Sequence, residues 1–283
     1  MKKEELLQII SELFHSMEGN AVTPEMDAGE DFAGTPFYEA PITGIGDASD
    51  PLFKEYKKPE AIGPWFMGPE EWLTGSRSVI SLFFPFTEEV RRSNRVEKEH
   101  ASVLWACARV DGQYYINAFA ERLAGKLTEL GYRCCVPQAD PRWERIAAGV
   151  GITGYPGITE NTFGSRWSER HAAYVCGLGT FGLSKGLITE RGMAGRFMSI
   201  VSDIPMTEDA RAYTGLYDYC IHCNVCVKRC PVNAIDPVEG KNHLPCSRCV
   251  AASKDIFRTG YGCGLCQTGV PCESRNPSAG RPA

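Results

Sequence analysis

The sequence predicts a mixed α/β, or α+β, body at residues 1–212 and a cysteine-rich C-terminal module at residues 213–283. Three observations favour this architecture. A continuous apolar run at 78–86 is typical of a buried strand, and apolar residues every three or four positions at 114–130 predict a helix. Nine of the thirteen cysteines lie at positions 220–272, which separates a packed body from a segment dominated by thiol chemistry.

The N-terminal stretch 1–17 predicts an amphipathic helix, because its apolar residues recur at helical spacing. Residues 20–75 are rich in Gly, Pro and Asp, yet their many aromatic side chains argue against disorder. We expect an irregular segment there that either covers a pocket or wraps the surface.

The apolar run should form a strand that Pro85 ends. The basic stretch 91–98 carries mixed charges and predicts a solvated loop. The helix at 114–130 should stop at Gly131, and a short strand at 133–137 follows it. This strand–helix–strand order indicates a mixed α/β body.

Glycines crowd the segment after residue 176. Ser168 is placed to cap a helix that begins with Glu169 and stops at Gly177. Gly177, Gly179 and Gly182 mimic a dinucleotide-binding fingerprint, but they follow a predicted helix instead of a strand, so we reject a Rossmann fold. These glycines let the backbone approach either another strand or a flat ligand closely.

Composition sets the broad class of protein. A formal charge of −5 and a pI near 5.7 provide no general attraction to nucleic acid or to an anionic membrane. No apolar run approaches membrane-spanning length. An odd number of cysteines fits free thiols in a reducing compartment, so we expect a cytoplasmic protein.

The run Cys220-x-x-Cys223-x-x-Cys226-x-x-x-Cys230-Pro231 has the spacing with which bacterial ferredoxins hold [4Fe–4S] clusters. In such ferredoxins the fourth cysteine binds a second cluster, so further cysteines are expected downstream. They are present, as Cys246, Cys249, Cys263, Cys266 and Cys272. A zinc ribbon is disfavoured, because zinc sites seldom place a third cysteine so close or use a fourth that precedes proline.

Five segments in this order resemble the epoxyqueuosine reductase family of iron–sulfur proteins, over about residues 63–277. They are Phe-Pro-Phe at 84–86, DGQYY at 111–115, AAYVCGLGTFG at 172–182, the cluster motif, and GCGLCQTGVPC at 262–272. The resemblance implies a nitroreductase-like body that holds cobalamin and a ferredoxin-like module with two [4Fe–4S] clusters, in a plan similar to that of reductive dehalogenases. It also implies a low-potential electron donor of the ferredoxin or flavodoxin type.

The resemblance further implies which residues serve the cofactors. One cluster would be held by Cys220, Cys223, Cys226 and Cys272, and the other by Cys230, Cys246, Cys263 and Cys266. Cys249 is the alternative to Cys246. The candidate residues beside the corrin are Tyr174, Cys176, Gly177, Gly179 and Gly182.

Two departures from the family bear on the reaction. Where the family has an acidic proton donor, this chain has Thr162, so Glu160, Glu169 or His171 are the candidate catalytic acids. The sequence ends eleven residues after Cys272, without the helical-repeat extension of tRNA-acting members, and we therefore do not expect a nucleic-acid substrate.

The main hypothesis is an iron–sulfur oxidoreductase that passes electrons from two clusters to cobalamin, which reduces a small molecule. The alternative is an electron-transfer protein or reductive activator that docks on a partner enzyme and binds no cobalamin. A zinc-stabilised binding module is a third hypothesis, which iron analysis would separate from the other two.

Overall fold

A computed structural model describes residues 1–147, 151, 155 and 157–280 of the 283-residue chain. The described strands are β1 (Ile42–Asp47), β2 (Ser78–Pro85), β3 (Cys134–Cys135), β4 (Arg145–Ile146), β5 (Gly164–Ser165), β6 (Gly179–Phe181), β7 (Leu187–Thr189), β8 (Gly195–Ser202), β9 (Ile235–Asp236) and β10 (Gly240–Lys241). The described helices are α1 (Lys3–Ser16), α2 (Gly29–Phe32), α3 (Leu52–Glu55), α4 (Pro69–Trp72), α5 (Glu88–Arg95), α6 (Val103–Glu129), α7 (Glu169–Val175), α8 (Val225–Lys228) and α9 (His243–Ala252).

A four-stranded antiparallel sheet forms the centre of the body, with the strand order β1-β2-β8-β3. β2 pairs with β8 along its whole length on one side and with β1 over residues 78–83 on the other, and all eight of its residues are buried. A strand covered on both faces needs apolar side chains at every position, which explains the continuous apolar run. The strand predicted at 78–86 is confirmed, and the chain is a mixed α+β protein as predicted.

The edge strand β1 lies in the segment for which the sequence predicts irregular structure. Its two glycines, Gly44 and Gly46, are unusual in a strand, so residue propensities do not predict a strand here. They are needed because the end of α7 crosses this strand closely. A Cβ atom at Gly44 would lie 2.2 Å from the carbonyl oxygen of Cys176.

The long helix α6 begins eleven residues before the predicted start at Tyr114. Ser102 caps it, since its side chain accepts a hydrogen bond of 3.1 Å from the amide of Trp105. Gly112 lies inside the helix, where a Cβ atom would be 2.6 Å from the hydroxyl of Tyr38. The glycine that weakens the sequence signal for a helix therefore makes room for a buried aromatic ring.

The C-terminal module has short elements and is fixed to the body through helix α5. Asn94 on that helix donates to the carbonyl of Cys263 at 3.2 Å and to the hydroxyl of Thr268 at 3.1 Å. Arg95 donates through Nε to both carboxylate oxygens of Glu273, at 2.8 and 3.0 Å, and Glu273 is only 5 % exposed. The prediction of a solvated loop at 91–98 is wrong, because most of this stretch is a helix whose polar side chains anchor the module.

No helix in the described part of the chain is both long enough and apolar enough to cross a membrane.

The close crossing of β1 and α7 can be tested with Gly44→Ala. The added methyl group would meet the backbone of Cys176, which cannot move aside as a flexible side chain could, so we expect a destabilisation of about 2 kcal/mol or more. Anaerobic thermal unfolding measures the effect.

Gly125→Ala is the matched control. Gly125 is exposed in α6 with no atom within 4 Å of an added Cβ, so alanine should stabilise the protein by about 1 kcal/mol through its helix propensity. Equal effects of the two substitutions would contradict the packing described for β1.

Candidate functional site

The first predicted cysteine set lies around one small cavity. Cys220, Cys223, Cys226 and Cys272 all line it, together with the turn that follows β6. His222 and Asn224 alternate with the cysteines and have φ values of 47° and 58°. This left-handed conformation, which Asn and His adopt more readily than most residues, lets the chain wrap around the cavity.

The second predicted set lines a larger cavity. Cys230, Cys246, Cys263 and Cys266 all border it, and so does Cys249. Cys246 and Cys249 lie three residues apart on α9, so they share one helix face. The choice between them as a cluster ligand therefore stays open. The amide of Ala234 donates to the sulfur of Cys230 at 3.1 Å.

Crowding of the thiols opposes their ionisation. Burial, followed by the charges of Cys266, Cys220 and Cys223, raises the pKa of Cys226 to about 11. Burial raises the pKa of Cys272 to about 12, and the charge of Cys226 contributes. Several thiolates so close together require bound positive charge, which iron would supply.

Among the described residues, no group of three or more His, Cys, Asp or Glu side chains converges on a position for one metal ion. Thiolates around a cubane bind four different irons and need not converge in this way.

The second cavity is part of a cleft with an enclosed volume of about 430 Å³, and its free space out to the open mouth is about 1780 Å³. No Asp or Glu is found among its described lining residues. We call it the cationic cleft, after the eight basic side chains Arg109, Arg145, Arg170, Lys185, Arg196, Lys241, Arg248 and Lys254. Its aromatic lining residues are Phe86, Trp105, Phe163 and Tyr261.

Neighbouring groups orient two of the cleft cations. Arg109 lies 4.1 Å above the ring of Tyr261 and donates to the carbonyl of that residue at 3.2 Å. Arg196 donates from Nε to Oε1 of Gln113 at 2.9 Å. Burial, together with the nearby charges of Arg109 and Arg170, lowers the pKa of Arg196 to about 10. Within the described ranges, the carboxylate partner of a cleft cation is Glu160, which lies 3.4 Å from Arg248.

The three predicted proton donors lie outside the cleft lining. Glu160 is exposed in its pair with Arg248. Glu169 and His171 flank Arg170, which does line the cleft. Both carboxylate oxygens of Glu169 are buried without a hydrogen-bond partner, and burial raises its pKa to about 8. Glu169 thus keeps its proton at neutral pH.

His171 is held in an aromatic environment. Its ring lies 4.8 Å from that of Tyr56 and 4.9 Å from that of Phe181. Burial, with a contribution from the charge of Arg170, lowers the pKa of His171 to about 3. Ser168 makes no capping hydrogen bond, because its hydroxyl lies 2.7 Å from Nδ1 of His171 instead.

The predicted corrin neighbours are placed away from the cleft. Tyr174, Cys176, Gly177 and Gly179 line neither cavity, whereas Gly182 lines the first cysteine cavity. The glycine at 179 permits a tight hairpin, since a Cβ atom there would lie 1.9 Å from a carbonyl oxygen of β7. This close approach is to a strand, and the role of these five residues at a corrin stays a prediction.

Sequence reasoning missed the cationic lining. Its members come from the helices α6, α7 and α9, the strands β4, β8 and β10, and connecting segments, and they do not form a basic run in the sequence. Periodicity could not identify them, because they are scattered over about 145 residues with no regular spacing. Only the fold brings them together around the second cysteine set.

A comparison with protein families matches residues 216–236 to a 4Fe-4S binding domain, which contains the first four cysteines of the motif. No curated protein sequence gives a significant match. The chain is therefore an iron–sulfur protein with a 4Fe-4S module, as predicted.

Solved structures resemble the whole fold at low sequence identity. The chain is similar to epoxyqueuosine reductase from Streptococcus thermophilus, with 14% identity and a TM-score of 0.51 over 98% of this chain and 69% of that one. A selenomethionine-labelled epoxyqueuosine reductase gives 15% identity and a TM-score of 0.50, with 96% and 70% coverage. A reductive dehalogenase for which a mechanism of B12-dependent dehalogenation has been suggested gives 17% identity and a TM-score of 0.50, with 85% and 31% coverage.

The chain thus spans about a third of the dehalogenase and more than two thirds of the epoxyqueuosine reductases. The predicted resemblance is confirmed at the level of the fold.

The buried carboxyl group of Glu169 predicts a pH dependence of stability. Its pKa in the folded protein, about 8, lies above the ordinary value of 4.5, so the folded state retains a proton that the unfolded state loses. The contribution of Glu169 to the free energy of unfolding is therefore fully present below about pH 4.5 and is lost as the pH rises towards 8. In Glu169→Gln this loss is absent, and we expect a melting temperature at pH 8 about 5 °C or more above that of the parent, with little difference at pH 5.

Anaerobic thermal unfolding across this pH range measures the difference. Glu160→Gln serves as the control, because its carboxylate is exposed. A Glu169→Gln variant with the same pH dependence as the parent would show that Glu169 ionises freely.

Proposed function

We propose that the protein is an iron–sulfur oxidoreductase in which two [4Fe–4S] clusters deliver electrons to the cationic cleft, where cobalamin takes part in the reduction of a small molecule. The observation that carries this proposal is the sorting of the cysteines. The first predicted set lines one cavity, and the second set lines another that is continuous with the cleft.

The exposure of the cysteines supports a direction of electron flow. Cys223 is exposed, so the first cluster would lie at the surface within reach of a ferredoxin-type or flavodoxin-type donor. Cys226 lies on α8 and Cys230 follows two residues after the end of that helix, which would keep the two clusters adjacent. The second cluster would face the cleft, and each electron lost by the donor would reach the substrate from that side.

The cleft suits cobalamin chiefly in its chemistry. Its volume of about 430 Å³ lies within the roughly 300–1000 Å³ of small-molecule pockets, and its open mouth would leave part of a larger ligand outside. Aromatic side chains such as Trp105 and Tyr261 offer flat faces to a macrocycle, and Arg248 near the solvent suits the phosphate of the nucleotide tail. When bound, cobalamin would supply a cobalt centre that acts as a nucleophile or an electron donor.

Protein groups around the second cluster would tune its potential. Arg170 and Lys241 both interact electrostatically with Cys246 and Cys266. Positive charges stabilise the reduced, more negative form of a cluster and so raise its potential. The amide hydrogen bond to Cys230 acts in the same direction.

The proton required by the reduction has a candidate source in Glu169, which is protonated at neutral pH. Its carboxyl group is buried beside the cleft and not in it, so the proton would have to pass through a neighbouring group. Glu160 and His171 stay alternatives to Glu169 in this role.

EPR of the anaerobically reconstituted protein tests the proposal. Dithionite should produce reduced-cubane signals, and one equivalent of cob(II)alamin, mixed with the unreduced protein, should convert to its base-off spectrum. Cubane signals with an unchanged cobalt spectrum would contradict a cobalamin site and favour the electron-transfer alternative. Zinc without iron would overturn the iron–sulfur proposal altogether.

Single cysteine substitutions test the ligand sets. The parent should bind about eight irons, and Cys272→Ser should lower iron content by up to about half, because one thiolate of the first cluster is lost. Iron content and EPR measure the loss. Cys107→Ser is the control, since Cys107 is buried in the main core beside Asp111.

Cys246→Ser and Cys249→Ser separate the two candidates on α9. Replacing the cysteine that binds the second cluster should reduce the EPR signal of that cluster, and replacing the other cysteine should leave the signal unchanged. A full complement of both clusters in both variants would contradict the assignment of α9 to the second site.

A further inference from the structure

Positive charge around the cationic cleft exceeds what the proposed cofactors require. A cubane on four thiolates carries about two negative charges in its oxidised form, and the phosphate of a cobalamin adds about one. The cleft has eight Arg and Lys side chains and no acidic residue among its described lining residues, and Glu160 outside the lining pairs with Arg248. About four positive charges are therefore left without compensation.

The basic side chains divide into two groups by the charges that they face. Arg170 and Lys241 interact with Cys246 and Cys266, so they serve the second cluster. The charges that act on Arg196 come instead from Arg109, Arg170 and two tyrosines, with no cysteine among them. Arg196 therefore has no evident function at the cluster, whereas Arg109 contacts the module through its hydrogen bond to the carbonyl of Tyr261, two residues before Cys263.

Holding Arg109 and Arg196 close together is unfavourable in the empty protein. Like charges repel more strongly where water is partly excluded, and neither residue has a carboxylate partner in the ranges that the structure describes. Both side chains are nevertheless fixed by neutral groups, Arg109 by Tyr261 and Arg196 by Gln113. Two neighbouring cations without a carboxylate partner destabilise the folded protein, and such destabilisation is typical of a site that binds an anion.

We propose that the cleft takes a small anionic substrate whose carboxylate or phosphate group binds between Arg109 and Arg196. Two guanidinium groups can each form paired hydrogen bonds to a planar or tetrahedral oxyanion, which gives orientation as well as affinity. The aromatic rings of Trp105 and Tyr261 line the same cleft and suit the apolar part of such a molecule. This inference rests on the proposed function in taking the cleft as the place of reduction.

Isothermal titration of the cluster-reconstituted protein, without cobalamin and at low ionic strength, tests the inference. Inorganic phosphate and succinate are the anionic probes, and succinamide is the neutral match for succinate. We expect the anions to bind and succinamide not to bind. The anion that binds with the higher affinity, phosphate or succinate, identifies the type of oxyanion that the site prefers.

Variants locate the site. Arg109→Gln and Arg196→Gln should each weaken binding of the preferred anion about tenfold or more, and Arg196→Lys should give an intermediate loss because it keeps the charge without the fork. Arg122→Gln is the control, because Arg122 is exposed on the same helix as Arg109 but does not line the cleft.

Thermal stability provides a second readout that a purely structural role would not produce. Removing a repelling cation should raise the melting temperature of anion-free Arg196→Gln above that of the parent, and added phosphate should stabilise the parent more than the variant. Equal anion binding by the parent and both glutamine variants, or equal binding of succinamide, would overturn the inference. A lower melting temperature of anion-free Arg196→Gln would likewise show that Arg196 serves the fold.

EPR of the same samples keeps the two proposals separate. Intact cubane and base-off cobalt signals without anion binding would refute the anionic substrate alone. Anion binding without those signals would refute the proposed redox function and leave an anion-binding cleft.

Discussion

Attachment of the cysteine-rich module to helix α5 is the constraint on which the candidate site depends. The module has few buried apolar side chains of its own, and apart from α9 its elements are single turns and two-residue strands. Its position is set by polar contacts, above all the buried carboxylate of Glu273 with Arg95 and the amide of Asn94 with the backbone at Cys263. Glu273 follows Cys272 directly, so the ion pair fixes a predicted cluster cysteine and the wall of a cavity together.

This mode of attachment explains why the proposed redox site lies at a junction. A module that depends on polar contacts for its position leaves space between itself and the body, and that space is the cationic cleft. The body contributes Arg109 and Arg196 from α6 and β8, while the module contributes the second cysteine set. Neither part would form the site alone.

Electrostatics links the two halves of this junction. Thiolates and an iron–sulfur cluster are negative, so cations beside them are favourable, and Arg170 and Lys241 meet this need. The like charges of Arg109 and Arg196 repel each other in the absence of an anion. In the proposed function, the cleft would combine charge that stabilises a reduced cluster with charge that is available to an anionic substrate.

Much of the chemistry could be predicted from the sequence. The ferredoxin spacing identified the module because a cubane requires thiolates at fixed short separations, and those separations are written in the chain itself. Strand β2 could be predicted for a similar reason, since burial on both faces requires an unbroken apolar run.

Tertiary structure decided the rest. The close approach of α7 requires a glycine at position 44, and that glycine hides the strand character of β1 in the sequence. The ring of Tyr38 likewise requires Gly112, which weakens the helical pattern of α6. The same limit applies to the cleft. Arg109, Arg170 and Arg196 are far apart in the sequence and belong to no recognisable motif. Their shared location follows only from the packing of α6, α7 and β8. Local spacing encodes cluster ligands, whereas a charged cleft arises from long-range packing, which no local pattern in the chain specifies.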